Sequence, residues 1–366
     1  GTCRQRRGRR GGVTDMKNNP GTTGAGARFV ERYERNATLL KDDAKLNVDG
    51  RDACGVGLVA AIDGQPSRQV VDAGIEALKA LWHRGAVDAD GMTGDGAGIM
   101  VEIPQEFFHD HVGRTGHTAG AGPIAVGMTF LPRTDLEAQE RCRFIVESEI
   151  LKFGYAIYGW RQVPIDLTAL GEKGNATRPE IEQVMIEGPV DADTDKLERD
   201  LFIIRKIIEN RARAENIPDF YICSLSCRTL IYNHQRYSTN TFPTWRLAQP
   251  FRMLAHNGEI NTLSGNVNWM SSHETRLASD AFGKHIENIK PVIAPGNSDS
   301  ASLDNAFELM VRGGRSAPMA KSLLIPEAWS NKTTMSQELR DFYSYCNCVM
   351  EPWDGPAAIT ATDGRW

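Results

Sequence analysis

No stretch of this chain approaches the ~20 consecutive apolar residues that a membrane-spanning helix needs. Its first residues are basic with no apolar segment behind them, so no secretory signal is expected either. Paired cysteine spacing is also missing. The seven cysteines are an odd number; Cys223 and Cys227 stand four apart, Cys346 and Cys348 two apart, and no nearby histidine pair completes a zinc set. Reduced core thiols in a cytosolic protein account for all of them except Cys54. Without secretion, the Asn-x-Thr sequons at Asn36, Asn175 and Asn331 carry little meaning. A surplus of basic residues is lacking as well. The net charge of −5 gives no general attraction to nucleic acid. Residues 1–53 alone are basic, with 12 Lys/Arg against 7 Asp/Glu, and the run Cys3 to Arg10 reads as a disordered tail rather than a nucleic-acid arm. The expectation is a cytoplasmic protein with neither membrane nor nucleic-acid partners.

Residues 1–50 are Gly- and Arg-rich, then charged, with little periodicity; disorder is the default there. The chain opens Gly1-Thr2, and Met16 is the first candidate start. From residue 54 the texture changes. Gly55 to Ile62 reads as a small-residue, β-branched strand. Val71, Gly74, Ile75, Leu78, Leu81 and Trp82 fall at helical spacing. Strands are expected at 99–103, 124–130, 153–160, 181–186, 221–232 and 251–256, and helices at 136–152, 196–214 and 303–311. The second of these helices carries Leu197, Leu201, Ile204, Ile207 and Ile208 on one stripe, and the third ends at Gly313-Gly314. Ala357 to Gly364 reads as a strand entering a turn close to the end, which suggests a fragment truncated at its C-terminus. Strands come in neighbouring groups with helices between the groups, which predicts an α+β protein with layered antiparallel sheets rather than a doubly wound parallel one.

Two short motifs fail on context. Gly94-Asp95-Gly96-Ala97-Gly98 resembles a dinucleotide loop but precedes a strand instead of following one. Asp88-Ala89-Asp90-Gly91 lacks the third ligand of a calcium loop, and Ile99 stands where its closing glutamate belongs.

Five scattered pieces carry chemistry together. Cys54 stands in Arg51-Asp52-Ala53-Cys54-Gly55-Val56-Gly57, where a lone cysteine is ordinarily a core thiol. If the peptide bond before it is cut, its own α-amino group, with a pKa of ~7.7–8.0, becomes a local base for the thiol. Asn257-Gly258 can supply a side-chain amide and a backbone N–H to an oxyanion; alone, the dipeptide reads as a turn. Arg236 can grip a carboxylate through a bidentate pair, or sit on a strand edge. Asp299 can accept from an ammonium group, or cap a helix, or do both. Arg84 can orient the surroundings of the cysteine or complement a helix dipole.

In this order and these contexts the pieces resemble the class II glutamine amidotransferases, within the N-terminal-nucleophile (Ntn) hydrolases. The longer strings narrow the resemblance to the glutaminase domain of the glutamate synthase large-subunit family: Trp82-His83-Arg84-Gly85, Thr93 to Gly98, Ser224 to Thr229 (SLSCRT), His234 to Trp245 (HQRYSTNTFPTW) and Leu247 to Asn268 (LAQPFRMLAHNGEINTLSGNVN). The resemblance covers about residues 50–366. It implies a four-layer α/β/β/α sandwich over 54–366, a leader at 1–53 that is removed, and hydrolysis of L-glutamine. It places Cys54 as nucleophile, Asn257 and Gly258 as oxyanion hole, and Arg236, Asp299 and Arg84 around the substrate. It also implies ammonia transfer to 2-oxoglutarate in a longer enzyme. There FMN and an iron–sulfur cluster lie in downstream synthase domains, and a small subunit or ferredoxin donates electrons. No cofactor is expected in this chain. One departure stands out: the family has a longer connection between Ile231-Tyr232 and the HQRYST string, where Asn233 alone joins them here. Two alternatives remain open at this level, another class II amidotransferase and a truncated, non-catalytic fragment of the same fold.

Overall fold

The computed structural model describes residues 55–80, 96–190, 193–233 and 244–365, all within the unit Cys54–Trp366. In chain order the elements are α1 (Arg68–Ala80), β1 (Gly98–Glu102), α2 (Gln105–Arg114), β2 (Ile124–Leu131), α3 (Leu136–Lys152), β3 (Ile157–Gln162), α4 (Glu172–Ala176) and β4 (Glu180–Glu187). There follow α5 (Thr194–Ala214), β5 (Tyr221–Ser226), β6 (Thr229–Asn233), β7 (Leu254–Gly258), α6 (Leu263–Glu274), α7 (Asp299–Arg312), α8 (Ala317–Leu324), α9 (Gln337–Val349) and β8 (Ala357–Ala361). Every described sheet is antiparallel: a four-stranded sheet in the order β3-β4-β2-β5, and the pairs β1-β6 and β7-β8. The protein is α+β, as the grouping of strands and helices predicts.

The four-stranded sheet is buried on both faces, and side-chain alternation decides which residue goes where. On β2, Ala125 joins Ile145, Val146 and Ile150 of α3 and Leu197, Leu201, Ile204 and Ile208 of α5 on one face. Val126, Met128 and Phe130 point to the other, against Phe108 and Val112 of α2 and Leu230 of β6. A third cluster gathers α6, α7, α8 and α9 around Leu254 of β7 and includes Phe202 and Ile203 of α5. Helix α5 is thus covered on two sides, and Ile207 belongs to this second side rather than to the stripe facing the sheet.

Three expectations change. Gly55 to Ile62 forms no strand; Leu58 and Ile62 are exposed, and among the described residues no strand pairs with them. The run 221–232 is two strands. It breaks at Cys227-Arg228, where the buried Glu198 carboxylate of α5 accepts from Ser226 Oγ (2.6 Å), Cys227 N–H (2.7 Å) and Arg228 N–H (3.2 Å). The helix expected at 303–311 starts earlier, at Asp299, because Ser298 caps it by accepting from the Ala301 N–H at 3.2 Å. No described helix is long and apolar enough to cross a membrane.

Candidate active site

Strand β7 carries the sequence Leu254-Ala255-His256-Asn257-Gly258. Leu254 and His256 face inward and are buried, while Ala255 and Asn257 are half-buried, the alternation of a strand with one covered face. Asn257 pairs with Ala358 of β8 and Gly258 with Ala357. Gly258 has φ +134°, and a Cβ there would lie 1.9 Å from the Pro356 carbonyl oxygen, so only glycine fits this close approach. The Asn-Gly pair therefore ends a strand and does not form a hairpin turn.

The strand is held in place from several sides. Gln249 mimics a neighbouring strand: its Nε2 donates to the His256 carbonyl (2.8 Å) and its Oε1 accepts from the His256 N–H (2.6 Å). Asp304, fully buried on α7, accepts from the N–H groups of Arg252 (3.3 Å), Met253 (2.9 Å) and Leu254 (3.2 Å). Burial and the neighbouring Glu308 push the Asp304 carboxyl above the usual carboxylate range, against the pull of Arg252.

Asp299 opens α7 with its side chain 24% exposed, which leaves it reachable from solvent. Its Oδ2 accepts from the Ile260 N–H at 3.1 Å and its Oδ1 from the Ser300 N–H at 2.7 Å. It is the first helical residue rather than the cap, a position where the helix dipole favours a carboxylate. Asn257 and Asp299 thus sit on two elements joined through Ile260, three residues past Asn257. Gly55 reaches the same place: a Cβ built on it would be 3.4 Å from Asn257 Nδ2.

Cys54, Arg84 and Arg236 lie outside the described residues. Gln249, His256, Ser300 and Asp304 support the site without having been singled out from sequence. Gln249 and His256 belong to the long string from Leu247 to Asn268 and Ser300 follows Asp299 directly, so proximity to the motifs was the available signal. Among the described residues no group of three or more His, Cys, Asp and Glu side chains could hold a metal ion.

The family described as Glutamine amidotransferases class-II matches residues 54–234 and 233–366. This chain belongs to the class II glutamine amidotransferases. The two matched stretches overlap at 233–234, the point where the resemblance leads one to expect a longer connection. The amidotransferase chain is 56% identical to the NADPH glutamate synthase large chain of Azospirillum brasilense, over 93% of this chain and 24% of that protein. It is 39% identical to ferredoxin-dependent glutamate synthase 2 of Synechocystis sp., over 87% of this chain and 22% of that protein, and 39% identical to the NADPH glutamate synthase large chain of Bacillus subtilis, over 86% and 22%. The chain therefore spans about a quarter of these curated relatives.

Proposed function

We propose that residues 54–366 are the glutaminase domain of a glutamate synthase, folded as the four-layer α/β/β/α sandwich of Ntn hydrolases and matured by removal of residues 1–53. The observation that carries the reading is the nearness of Gly55, the residue after Cys54, to the Asn257 side chain, where a Cβ built on Gly55 would stand 3.4 Å from Nδ2. A nucleophile at 54 then lies one residue from the amide that would hold its oxyanion. The start of the family match at residue 54 supports the same boundary.

In this mechanism the freed α-amine of Cys54 takes the thiol proton, and the sulfur attacks the side-chain amide carbon of glutamine. Asn257 Nδ2–H and the Gly258 N–H hold the resulting oxyanion, a type of donor whose loss typically costs ~2.7–4 kcal/mol of transition-state stabilisation. The C–N bond breaks, the nitrogen takes the proton and leaves as ammonia, and water hydrolyses the thioester to glutamate and free thiol. Arg236 pairs with the α-carboxylate, Asp299 accepts from the α-ammonium group, and Arg84 orients the surroundings of Cys54. Ammonia transfer to 2-oxoglutarate, with FMN, an iron–sulfur cluster and an electron-donating subunit or ferredoxin, is assigned to parts of the longer protein beyond this chain. The described cysteines do not fit a cluster.

Mass spectrometry of the purified protein, with a glutaminase assay on the wild type and Cys54→Ala, tests this. An N-terminus at Cys54, activity in the wild type and none in the variant are expected. Glutamine hydrolysis by a protein still carrying residues 1–53 would remove the α-amine from the mechanism.

A further inference from the structure

Strand β7 and helix α7 run side by side in opposite directions and are tied at three levels. Asp304 accepts from the N–H groups of residues 252–254, His256 Nδ1 lies 2.7 Å from Ser300 Oγ, and Asp299 Oδ2 accepts from the Ile260 N–H. The middle tie has a special position. His256 immediately precedes Asn257, and Ser300 immediately follows Asp299. Each partner is therefore covalently next to a group assigned to one end of the substrate. Both are almost fully buried, His256 1% and Ser300 2% exposed, so neither is placed to touch substrate itself.

The tie continues from Ser300 to Asp299. Ser300 Oγ lies 3.2 Å from Asp299 Oδ1 as well as 2.7 Å from His256 Nδ1. A carboxylate only accepts, so one arrangement satisfies both contacts: the Ser300 hydroxyl donates to Asp299 and its oxygen accepts from a hydrogen on His256 Nδ1. The result is a one-way chain, His256 Nδ1–H to Ser300 O–H to Asp299. Its start is fixed because Gln249 grips both backbone polar groups of His256.

We infer that His256 and Ser300 are positioning residues that aim the Asp299 carboxylate at the substrate's α-ammonium group and set its distance from the Asn257-Gly258 oxyanion donors. The inference rests on the glutaminase reading. It assigns the tie a role in selecting an amino-acid amide of glutamine's length over one lacking the α-amine.

The test compares wild type, Ser300→Ala, Ser300→Thr, His256→Leu and His256→Asn on glutamine and on glutaramate, the same amide without the α-amino group. Ser300→Ala and His256→Leu should raise KM for glutamine about tenfold, the loss of one hydrogen bond to a charged group, with kcat within about threefold. KM for glutaramate should not move. Ser300→Thr and His256→Asn, which keep a donor, should restore glutamine binding. Nitrogen-15 NMR of histidine-labelled wild type should find His256 protonated on Nδ1. Equal losses on both substrates, no loss on either, or the opposite tautomer would each overturn the relay while leaving the glutaminase reading intact. A wild type that neither binds nor hydrolyses glutamine would remove that reading and this inference with it.

Discussion

Asn257 and Gly258 sit side by side and should fail in different ways. Asn257 is half-buried, so Asn257→Ala removes the proposed oxyanion donor and little packing. It should lower kcat about 10²–10³-fold with an unchanged melting temperature. Gly258→Ala meets the Pro356 carbonyl oxygen at 1.9 Å with φ at +134°. It should destabilise the fold by about 1–3 kcal/mol, the usual cost of a side chain held in such a conformation, and be visible in thermal denaturation before any assay. An inactive but fully stable Gly258→Ala would show that β8 yields more easily than this contact implies. The dipeptide reads as a proposed oxyanion pair only through the company of its neighbours; alone it spells a turn. Nothing local could reveal that Pro356, almost a hundred residues on, closes over it. The sequence offered Asp299 as a helix cap, but the cap proved to be Ser298, with Asp299 the first helical residue.

At the scale of elements, the sequence was most faithful where one face of a helix decides everything. Helix α3 spans 136–152 as predicted, capped by Asp135, which accepts from the Ala138 N–H. It failed where a distant group sets the boundary: the break after Ser226 has no Gly, Pro or Asn to mark it and depends on Glu198 of α5. Helices α2, α4, α6, α8 and α9 were not anticipated. Helix α8 is only eight residues long, and α9 mixes aromatic residues and cysteines into its helical pattern. Helix α5 was predicted from its apolar stripe alone, which says nothing of where its charges go. Some of those charges are enclosed under α7: Arg205 bonds Glu308 (2.6 Å) and Glu209 (2.7 Å), and Arg252 bonds Glu209 (2.9 Å). Burial alone would raise the Glu209 pKa, but Arg205, Arg252 and Lys206 overcome it and hold it at about 2, below the ordinary 4.5. A carboxylate depressed in the folded state contributes stability that is complete above about 4.5 and lost as the pH falls toward 2, on the order of 3 kcal/mol here. Glu209→Gln should therefore be markedly less stable than wild type at pH 7, and the gap should narrow on acidification to pH 3. Denaturant unfolding at both pH values measures it, and parallel losses in the two proteins would show that Glu209 does not drive the acid limb.

For the whole molecule, the question is which of seven cysteines does chemistry. Of the five described, Cys142, Cys223, Cys227 and Cys346 are buried, and Cys348 is exposed. Burial pushes the Cys142 thiol up to about 12 and those of Cys223, Cys227 and Cys346 upward as well. At neutral pH these four carry almost no thiolate, the form that attacks carbonyls and alkylating agents. Cys54, followed by a glycine on which a built Cβ would stand 3.4 Å from Asn257 Nδ2, is the one whose sequence context would supply a base if residues 1–53 are removed as proposed. Every group the proposed hydrolysis uses lies between residues 54 and 299, and none of them transfers electrons. The chain spans about a quarter of relatives whose names include NADPH or ferredoxin, so the reductive half of their reaction is assigned to what lies outside it. The purified protein should thus release ammonia from glutamine without consuming NADPH, even with 2-oxoglutarate present. Brief treatment with iodoacetamide should stop this activity, with peptide mapping placing label on Cys54 and Cys348 but not on Cys142, Cys223, Cys227 or Cys346. Excess glutamine should protect Cys54 alone. Inactivation that tracks label on any of the buried four, with Cys54 unmodified, would move the nucleophile elsewhere in the fold.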